Sequence, residues 1–498
     1  MFIGREQELR FLEEKYTEKK GQLIVLYGRR RIGKTETLRE FCKNKPHFFY
    51  SCTQSTDSIQ LARFSALLLT EDIPAKRYLS VFPDWERAFR ALMDLPYGEQ
   101  KRLVVLDEFP YMCRANASIP SILKNIWDAG WKDSNVMLIL CGSAMSFIEK
   151  ELLAEKNPLY GRATGIYKMK AMSFYDVIKF FPNYSNRDKI LTYAILGGVP
   201  HYLTQWDPNL SVAENIKRNI LTKGCVLYSE VEFLLHQELR ETPIYNSIIE
   251  AVALGSTRLN EISQKSMIDD TAKTSVYLRN LVELGIVERE FSVDSQIKEK
   301  ANMKRGIYRL TDHFFRFWYR FGFTNLSLLE DGDAEGVFRY SIEPELSDFA
   351  AFPFEDVCRE FVKELQKKNE MPFRYAKMGR WWGRTTVRCD ERRHGLSTQN
   401  PYEMDKANDV TIAESEIDLL AFDQDGKKYL VGECKFKNSV FRYSEYLDTK
   451  AKLAPLKKNA DFYYVLFSAS GFDEKIIKEA DGERLRVFSL DDIVGGGG

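Results

Sequence analysis

Gly28-Arg-Arg-Arg-Ile-Gly33-Lys34-Thr35 matches G-x-x-x-x-G-K-[ST] in full, and it lies between an apolar run, Gln22-Leu-Ile-Val-Leu-Tyr27, and Glu36-Thr-Leu-Arg-Glu-Phe41, which has helical spacing. Strand, glycine turn and helix are the context this motif requires, so the stretch reads as a phosphate-binding loop. The glycines let the backbone curl until successive N–H groups and the helix N-terminus face the β- and γ-phosphates. Gly28, Arg31, Ile32, Gly33 and Glu36 then frame a nucleotide. Lys34 supplies a point charge to the phosphates, and the Thr35 hydroxyl is a ligand for Mg²⁺. ATP and Mg²⁺ are the expected cofactors.

Further along, Arg102-Leu-Val-Val-Leu-Asp107-Glu108 is an apolar strand ending in two carboxylates, a Walker B pattern. Asp107 at the strand end would hold the Mg²⁺ shell, and Glu108, one residue on, would polarise the attacking water. Asn135-Val-Met-Leu-Ile-Leu-Cys-Gly-Ser143 reads as another parallel-type strand. Ser143 at its end is a candidate γ-phosphate sensor or, alternatively, a cap of the following helix. Pro158-Leu-Tyr-Gly161-Arg162 offers a loop arginine. Arg162 would neutralise charge on the transferring phosphoryl group, within its own subunit or on a neighbour.

Together with Met1-Phe-Ile-Gly4-Arg5-Glu6-Gln-Glu8-Leu9 and Gly197-Gly198-Val199-Pro200, these elements resemble the archaeal-type ATPases of the STAND branch of AAA-like P-loop proteins. The resemblance implies that Gly4, Arg5 and Pro200 flank the adenine. From residue chemistry alone, Gly197–Pro200 is only a turn.

At 498 residues the chain exceeds a single core, and at about 150 residues per domain three or four modules are expected. Lysine plus arginine number 72, as do aspartate plus glutamate, so a nucleic-acid partner must be met by local basic patches. The first residues lack a basic segment followed by an apolar one, and no run is apolar enough to span a membrane. The eight cysteines include no C-x-x-C pair and read as reduced thiols of a cytoplasmic protein.

Between Ala251 and Leu310 the pattern shifts to short helices and a strand pair. Thr257-Arg-Leu-Asn-Glu-Ile-Ser263 starts one helix, and Lys273–Gly285 carries a longer amphipathic one with Leu278, Leu281 and Val282 on its apolar side and a glycine stop. Ile286–Phe291 and Arg305–Leu310 read as strands. That order is a winged helix-turn-helix. It serves either as a DNA reader through Lys273 and Arg279 or as a lid on the ATPase, and Glu283 on its second helix favours the lid. The aromatic run His313–Phe321 reads as packing at a domain junction.

Glu416-Ile417-Asp418-Leu-Leu-Ala-Phe422, a turn at Asp423-Gln-Asp-Gly426 and Lys428-Tyr-Leu-Val-Gly-Glu433-Cys434-Lys435 form a β-hairpin. Glu433 and Lys435, two apart, project from one face. Two carboxylates and a lysine on one sheet face can hold Mg²⁺ and orient a water for phosphodiester attack. From about Phe352 onward the pattern resembles the PD-(D/E)xK restriction-endonuclease-like fold. The resemblance implies that Glu355, Asp418 and Glu433 bind metal, that Lys435 stabilises the attacked phosphate, and that Gly379-Arg380-Trp381-Trp382 precedes the first core strand. Ile417 stands where that family often has proline. Arg380, Arg384, Arg388, Arg392, Arg393, Lys427 and Lys428 would face phosphates or simply solvent.

The expected fold class is α/β: a P-loop NTPase parallel sheet, a winged-helix domain and a C-terminal restriction-endonuclease-like α/β domain. The expected boundaries are 1–205 for the ATPase, 206–325 for a helical linker and winged helix, 326–350 for a junction, 351–494 for the nuclease-like domain and 495–498 for a glycine tail. The expected function is an ATP-binding and ATP-hydrolysing switch coupled to a metal-dependent nuclease-like effector on DNA or RNA, with an ATP-dependent homo-oligomer among the expected partners. The alternatives are an ATP-dependent DNA-binding regulator that does not cleave and a nucleotide-dependent oligomerising scaffold.

Overall fold

The computed structural model describes residues 2–295, 306–388, 410–453, 460–480 and 482–496, with backbone only at 384–388, 410–413 and 453. It divides into two compact units: Met1–Asp176 with Gly198–Thr204 and Glu283–Gly285, and Val177–Gly197 with Gln205–Val282 and Ile286–Gly498.

The first unit is built on a five-stranded parallel sheet in the order β2-β3-β4-β1-β5. Its strands are β1 (Gln22–Tyr27), β2 (His47–Ser51), β3 (Arg102–Asp107), β4 (Val136–Gly142) and β5 (Gly165–Lys168). Every residue of β1 and of β4 is buried, which is why they read as unbroken apolar runs rather than as alternating ones. The alternation is present in three dimensions. Leu23 and Val25 of β1, Val104 and Leu106 of β3, and Leu138 and Leu140 of β4 share one core with Phe64, Trp85 and Phe89. Ile24 and Leu26, Leu103 and Val105, and Met137 and Ile139 share another with Leu12, Leu38 and Phe41. The period of two thus feeds two apolar layers, one on each face of the sheet. The phosphate loop follows β1, Asp107 ends β3 and Ser143 follows β4, so all three chemistries collect at the carboxyl ends of neighbouring strands.

In the second unit three helices, Thr242–Ala253, Leu259–Lys265 and Thr271–Glu283 up to its last residue, precede the antiparallel pair β6 (Val287–Glu290) and β7 (Ile307–Leu310), registered Val287 to Leu310. The aromatic run is buried as expected: Phe314, Phe315, Phe317, Tyr319 and Phe321 are all nearly inaccessible. The helix Asn186–Leu196 packs on His313–Phe317 and on the long helix Leu346–Lys367, so Val177–Gly197 joins this unit although its sequence neighbours are in the first.

A second five-stranded sheet has the order β12-β11-β10-β9-β8, from β8 (Lys377–Arg388), β9 (Val410–Phe422), β10 (Lys428–Lys435), β11 (Asp461–Ser468) and β12 (Leu485–Phe488). β8, β9 and β10 are antiparallel, and β10, β11 and β12 are parallel. The long helix covers the sheet, with Phe361 against Phe467 and Phe488 and Phe354 against Phe436. Two expectations are corrected here. Gly379–Trp382 lies inside β8, not before it, with a register shift between Gly379 and Trp381. Gly495 closes the helix Leu490–Gly495, and the Gly496 carbonyl accepts from Lys368 Nζ at 2.9 Å, so these glycines belong to the fold.

Candidate functional site

At the phosphate loop, Gly33 has φ 84° as the residue before the Lys34–Cys42 helix, a conformation that costs glycine nothing. A side chain at Gly28 would stand 2.5 Å from the Met169 carbonyl oxygen and from Ile32 Cδ1, so the loop's first turn is closed to any other residue. Lys34 is buried, and its Nζ donates to the carbonyls of Gly28 and Arg29 at 3.0 and 2.8 Å. Burial lowers its pKa, and the charges of Cys141, Glu108 and Asp107 oppose that shift.

Thr35 Oγ1 donates to Asp107 Oδ2 at 2.7 Å. A hydroxyl and a carboxylate this close are hard oxygen donors of the kind Mg²⁺ takes, alongside phosphate oxygens and waters. Glu108 adopts φ 51°, ψ 39° between β3 and the next helix, which turns its carboxylate from the strand toward β4. There Glu108 Oε2 accepts from Ser143 Oγ at 2.9 Å and from Ser143 N at 3.3 Å. The four residues taken from the two Walker elements and the sensor strand are therefore linked in two pairs, Thr35 with Asp107 and Glu108 with Ser143.

The other expected residues make contacts of their own. Arg5 is buried, with Nη1 donating to Glu8 and to the Lys170 carbonyl at 2.8 Å and Nη2 donating to the Ile32 carbonyl at 2.6 Å. It braces the phosphate loop from behind. Pro200 starts a short helix, and its ring lies 3.5 Å from where a Gly33 side chain would begin. Gly4 packs against Met172 and Asp176. Arg31 has φ 72° and its carbonyl accepts from His201 N at 3.4 Å, while Glu36 lies 3.9 Å from Arg39 on the helix surface. The Arg162 guanidinium pairs with Asp128 at 2.9 Å and donates to the Tyr160 carbonyl at 3.1 Å.

The second constellation lies in the second unit. Asp418 on β9, Glu433 and Lys435 on β10 and Glu355 on the Leu346–Lys367 helix are all largely buried. Asp418 Oδ2 accepts from Cys434 N at 2.9 Å. Glu433 lies between two ammonium groups, Lys435 at 2.6 Å and Lys452 at 2.9 Å. Glu355 lies between two guanidinium groups, Arg359 at 3.4 Å and Arg380 at 3.3 Å, and Arg359 also donates to the Asp418 carbonyl at 2.7 Å and to Asp356 at 2.6 Å.

Burial raises the Glu355 carboxyl to about 8, with the charge of Asp418 adding to the rise. Burial likewise raises Asp418 to about 6, with Glu433 adding to it. Glu433 moves the other way, because Lys452 and Lys435 outweigh its burial, and the same attraction together with Asp418 keeps Lys435 firmly protonated. The neighbouring carboxylates are thus pushed apart in acidity, the pattern that separates proton donors from acceptors at catalytic sites. Among the described residues no three His, Cys, Asp or Glu side chains gather as a metal-holding group. Each outlying carboxylate meets cations instead.

Arg359 and Lys452 were not foreseen. Arg359 stands four residues after Glu355, a spacing that puts two side chains on one helical face and was legible in principle. Lys452 comes from the Tyr443–Leu453 helix, and nothing in its local sequence marks it. In the hairpin turn Asp423 accepts from Lys427 N and Lys428 N, and Gly426 takes φ 65°. The side chains of Arg384, Arg388, Arg392 and Arg393 lie outside the described residues.

Residues 2–206 match a family described as an ATPase domain predominantly from Archaea, and residues 318–447 match a family of archaeal and bacterial proteins of unknown function. The chain is 31% identical to the uncharacterized protein MJECL04 of Methanocaldococcus jannaschii, across 99% of this chain and 100% of that one. It is 56% identical over 45 residues to the uncharacterized ATP-binding protein MJ0423 of the same organism, covering 9% of this chain and 76% of that protein. Among solved structures, the Walker-type ATPase PABY2304 of Pyrococcus abyssi is 20% identical and aligns over 64% of this chain and 96% of its own, with a TM-score of 0.48.

Proposed function

The chain belongs to the family of the Methanocaldococcus jannaschii protein MJECL04 and carries a P-loop ATPase-type domain at its N-terminal end, and from that premise we propose that it is an ATP-hydrolysing switch joined to a metal-dependent nuclease-like effector. The observation that carries the first half is the pairing of Thr35 with Asp107 beside the pairing of Glu108 with Ser143. Bound Mg²⁺ supplies charge neutralisation at the β- and γ-phosphates. Thr35 and Asp107 would hold it, Lys34 would leave the loop carbonyls for the phosphates, and Glu108 would release Ser143 to orient a water. ATP hydrolysis followed as phosphate release tests this: activity in the wild type and none in Lys34→Ala supports it, and equal activity in both refutes it.

For the second half the support is the convergence of Asp418, Glu433, Lys435 and Glu355 from two strands and one helix, with carboxyl acidities driven apart. Three carboxylates and a lysine would suit a divalent cation and a scissile phosphate once Glu355 and Glu433 left the cations that hold them. Asp418 and Glu433 would hold the metal, Glu355 would complete its shell, and Lys435 would turn from Glu433 to the attacked phosphate. DNA or RNA would be the substrate, with the three-helix and hairpin segment from Thr242 to Leu310 read as a winged helix that relays the nucleotide state. Cleavage of labelled single-stranded and duplex DNA and of RNA with Mg²⁺ or Mn²⁺, lost in Asp418→Ala, is the test.

A second reading is favoured by one observation. Glu433 and Glu355 each already hold two cationic partners, as in an ion-pair network that serves structure. In that reading the C-terminal domain binds nucleic acid without cutting it, and binding is indifferent to divalent metal.

A further inference from the structure

The end of the Leu346–Lys367 helix borders a cavity of about 520 Å³ whose lining includes Lys363, Gln366, Lys367, Phe373, Arg374 and Tyr375. Among the described residues no carboxylate lines it, although acids and bases balance across the chain. Lys363, Gln366 and Lys367 follow the i, i+3, i+4 spacing of one helical face. Lys367 pairs with Glu364 at 2.6 Å, whereas among the described residues no carboxylate lies within ion-pairing distance of Lys363 or Arg374.

The bland explanation for cations here is the negative end of the helix dipole, and the local hydrogen bonding already answers it. Lys368 N donates to the Glu364 carbonyl, Asn369 N to Gln366 and Glu370 N to Leu365, at 3.0, 3.1 and 2.9 Å, with Asn369 left-handed at φ 58°. The helix end is thus closed by its own backbone. Lys363 sits a turn earlier and Arg374 lies beyond the helix, so neither is needed there.

The wall opposite the helix is held in place. Tyr375 N donates to Gln366 Oε1 at 2.9 Å, Ala376 N to the Phe422 carbonyl at 2.8 Å, and Arg486 Nη1 to the Glu370 carbonyl at 2.6 Å. Phe373 is fixed by packing on Tyr463, centroids 5.4 Å apart. A preformed pocket of this size, with unpaired cations and an aromatic wall, falls in the range of small-ligand sites.

We propose that this cavity binds a nucleotide, Lys363 and Arg374 taking its phosphate and Tyr375 lying against its base. The source is either a free mononucleotide or one nucleotide of a polynucleotide strand. Lys363 follows Glu355 by eight residues on the same helix, about 12 Å along its axis, a distance a strand engaged at Asp418 would cross. The cavity carries no reacting group, so the inference stands whether or not the protein cleaves.

The test uses full-length protein carrying Lys34→Ala, which silences the phosphate loop, and two probes: uridine monophosphate and a fluorescein-labelled oligothymidylate. Binding is compared with the same protein carrying Lys363→Gln and Arg374→Gln. Binding of either probe, weakened at least ~10-fold in the double variant and, for the oligothymidylate, with a log–log salt slope flatter by about 0.7, supports the site. The probe that binds identifies the source. The charge-preserving pair Lys363→Arg and Arg374→Lys should bind like the parent, and the thermal midpoint should not move, since both side chains are exposed. Failure of both probes to bind, or equal affinity in parent and double variant, overturns the proposal.

Discussion

Thr35 Oγ1 and Asp107 Oδ2 lie 2.7 Å apart although 72 residues separate them in the chain. β3 and β1 are not neighbours in the sheet, since β4 runs between them, and the Lys34–Cys42 helix carries Thr35 across that gap. If the pair holds Mg²⁺, Thr35→Val should weaken ATP binding at least ~10-fold in the presence of Mg²⁺, about 1.4 kcal/mol, and leave binding in EDTA unchanged. Titration of a fluorescent ATP analogue under both conditions is the check. Equal losses in both would mean that Thr35 serves the loop's structure.

Glu108 and Ser143 should separate binding from turnover. Glu108→Gln keeps the hydrogen bond to Ser143 and removes the base, so kcat should fall by about 10²–10⁴ with ATP affinity preserved. Steady-state phosphate release combined with equilibrium binding tells the two apart. A variant that hydrolyses normally would remove Glu108 from the chemistry.

Glu355 should make stability depend on pH. Its carboxyl is raised to about 8 in the folded protein against an ordinary 4.5, so the native state keeps a proton that the unfolded chain releases. That contribution is fully present below the unfolded value and is lost as the pH rises through the folded one. Between about pH 5 and about pH 8.5, the wild type should lose at least ~1.4 kcal/mol more than Glu355→Gln, the worth of one pKa unit. Urea unfolding of both proteins at the two pH values measures this, and parallel declines would refute it.

Arg359 should matter more to stability than any other single cation at the second site. It is 8% exposed and spans Glu355, Asp356 and the Asp418 carbonyl. With Arg309 it overcomes the burial that would otherwise raise Asp356, holding that carboxyl below its usual range. Arg359→Met leaves the buried Asp356 carboxylate short of a partner and should cost about 3–5 kcal/mol. A urea midpoint within error of the wild type would show that Arg309 and Arg380 compensate.

The first unit was legible because its signals are local. A fully buried parallel strand declares itself as an apolar run, and the loop and the Asp107–Glu108 pair sit directly at strand ends. What escaped is what only the fold assembles. The guanidinium of Arg5 reaches Glu8 and the carbonyls of Ile32 and Lys170, partners that no sequence period marks. Arg162 pairs with Asp128, 34 residues earlier, a partner that its loop position does not announce. Lys452 reaches Glu433 from a helix 19 residues on, a pairing with no sequence period to announce it. The resemblance places Gly379–Trp382 before the first core strand, yet the strand passes through them by a register shift.

The central claim is that one chain couples ATP hydrolysis to a metal-dependent phosphodiester-cleaving site. The most direct measurement is cleavage of labelled DNA and RNA with Mn²⁺, with and without ATP, by wild type, Asp418→Ala and Lys34→Ala. The expected result is cleavage by the wild type that vanishes in Asp418→Ala and loses its response to ATP in Lys34→Ala. ATP hydrolysis without cleavage of any strand, or cleavage undiminished in Asp418→Ala, would contradict it.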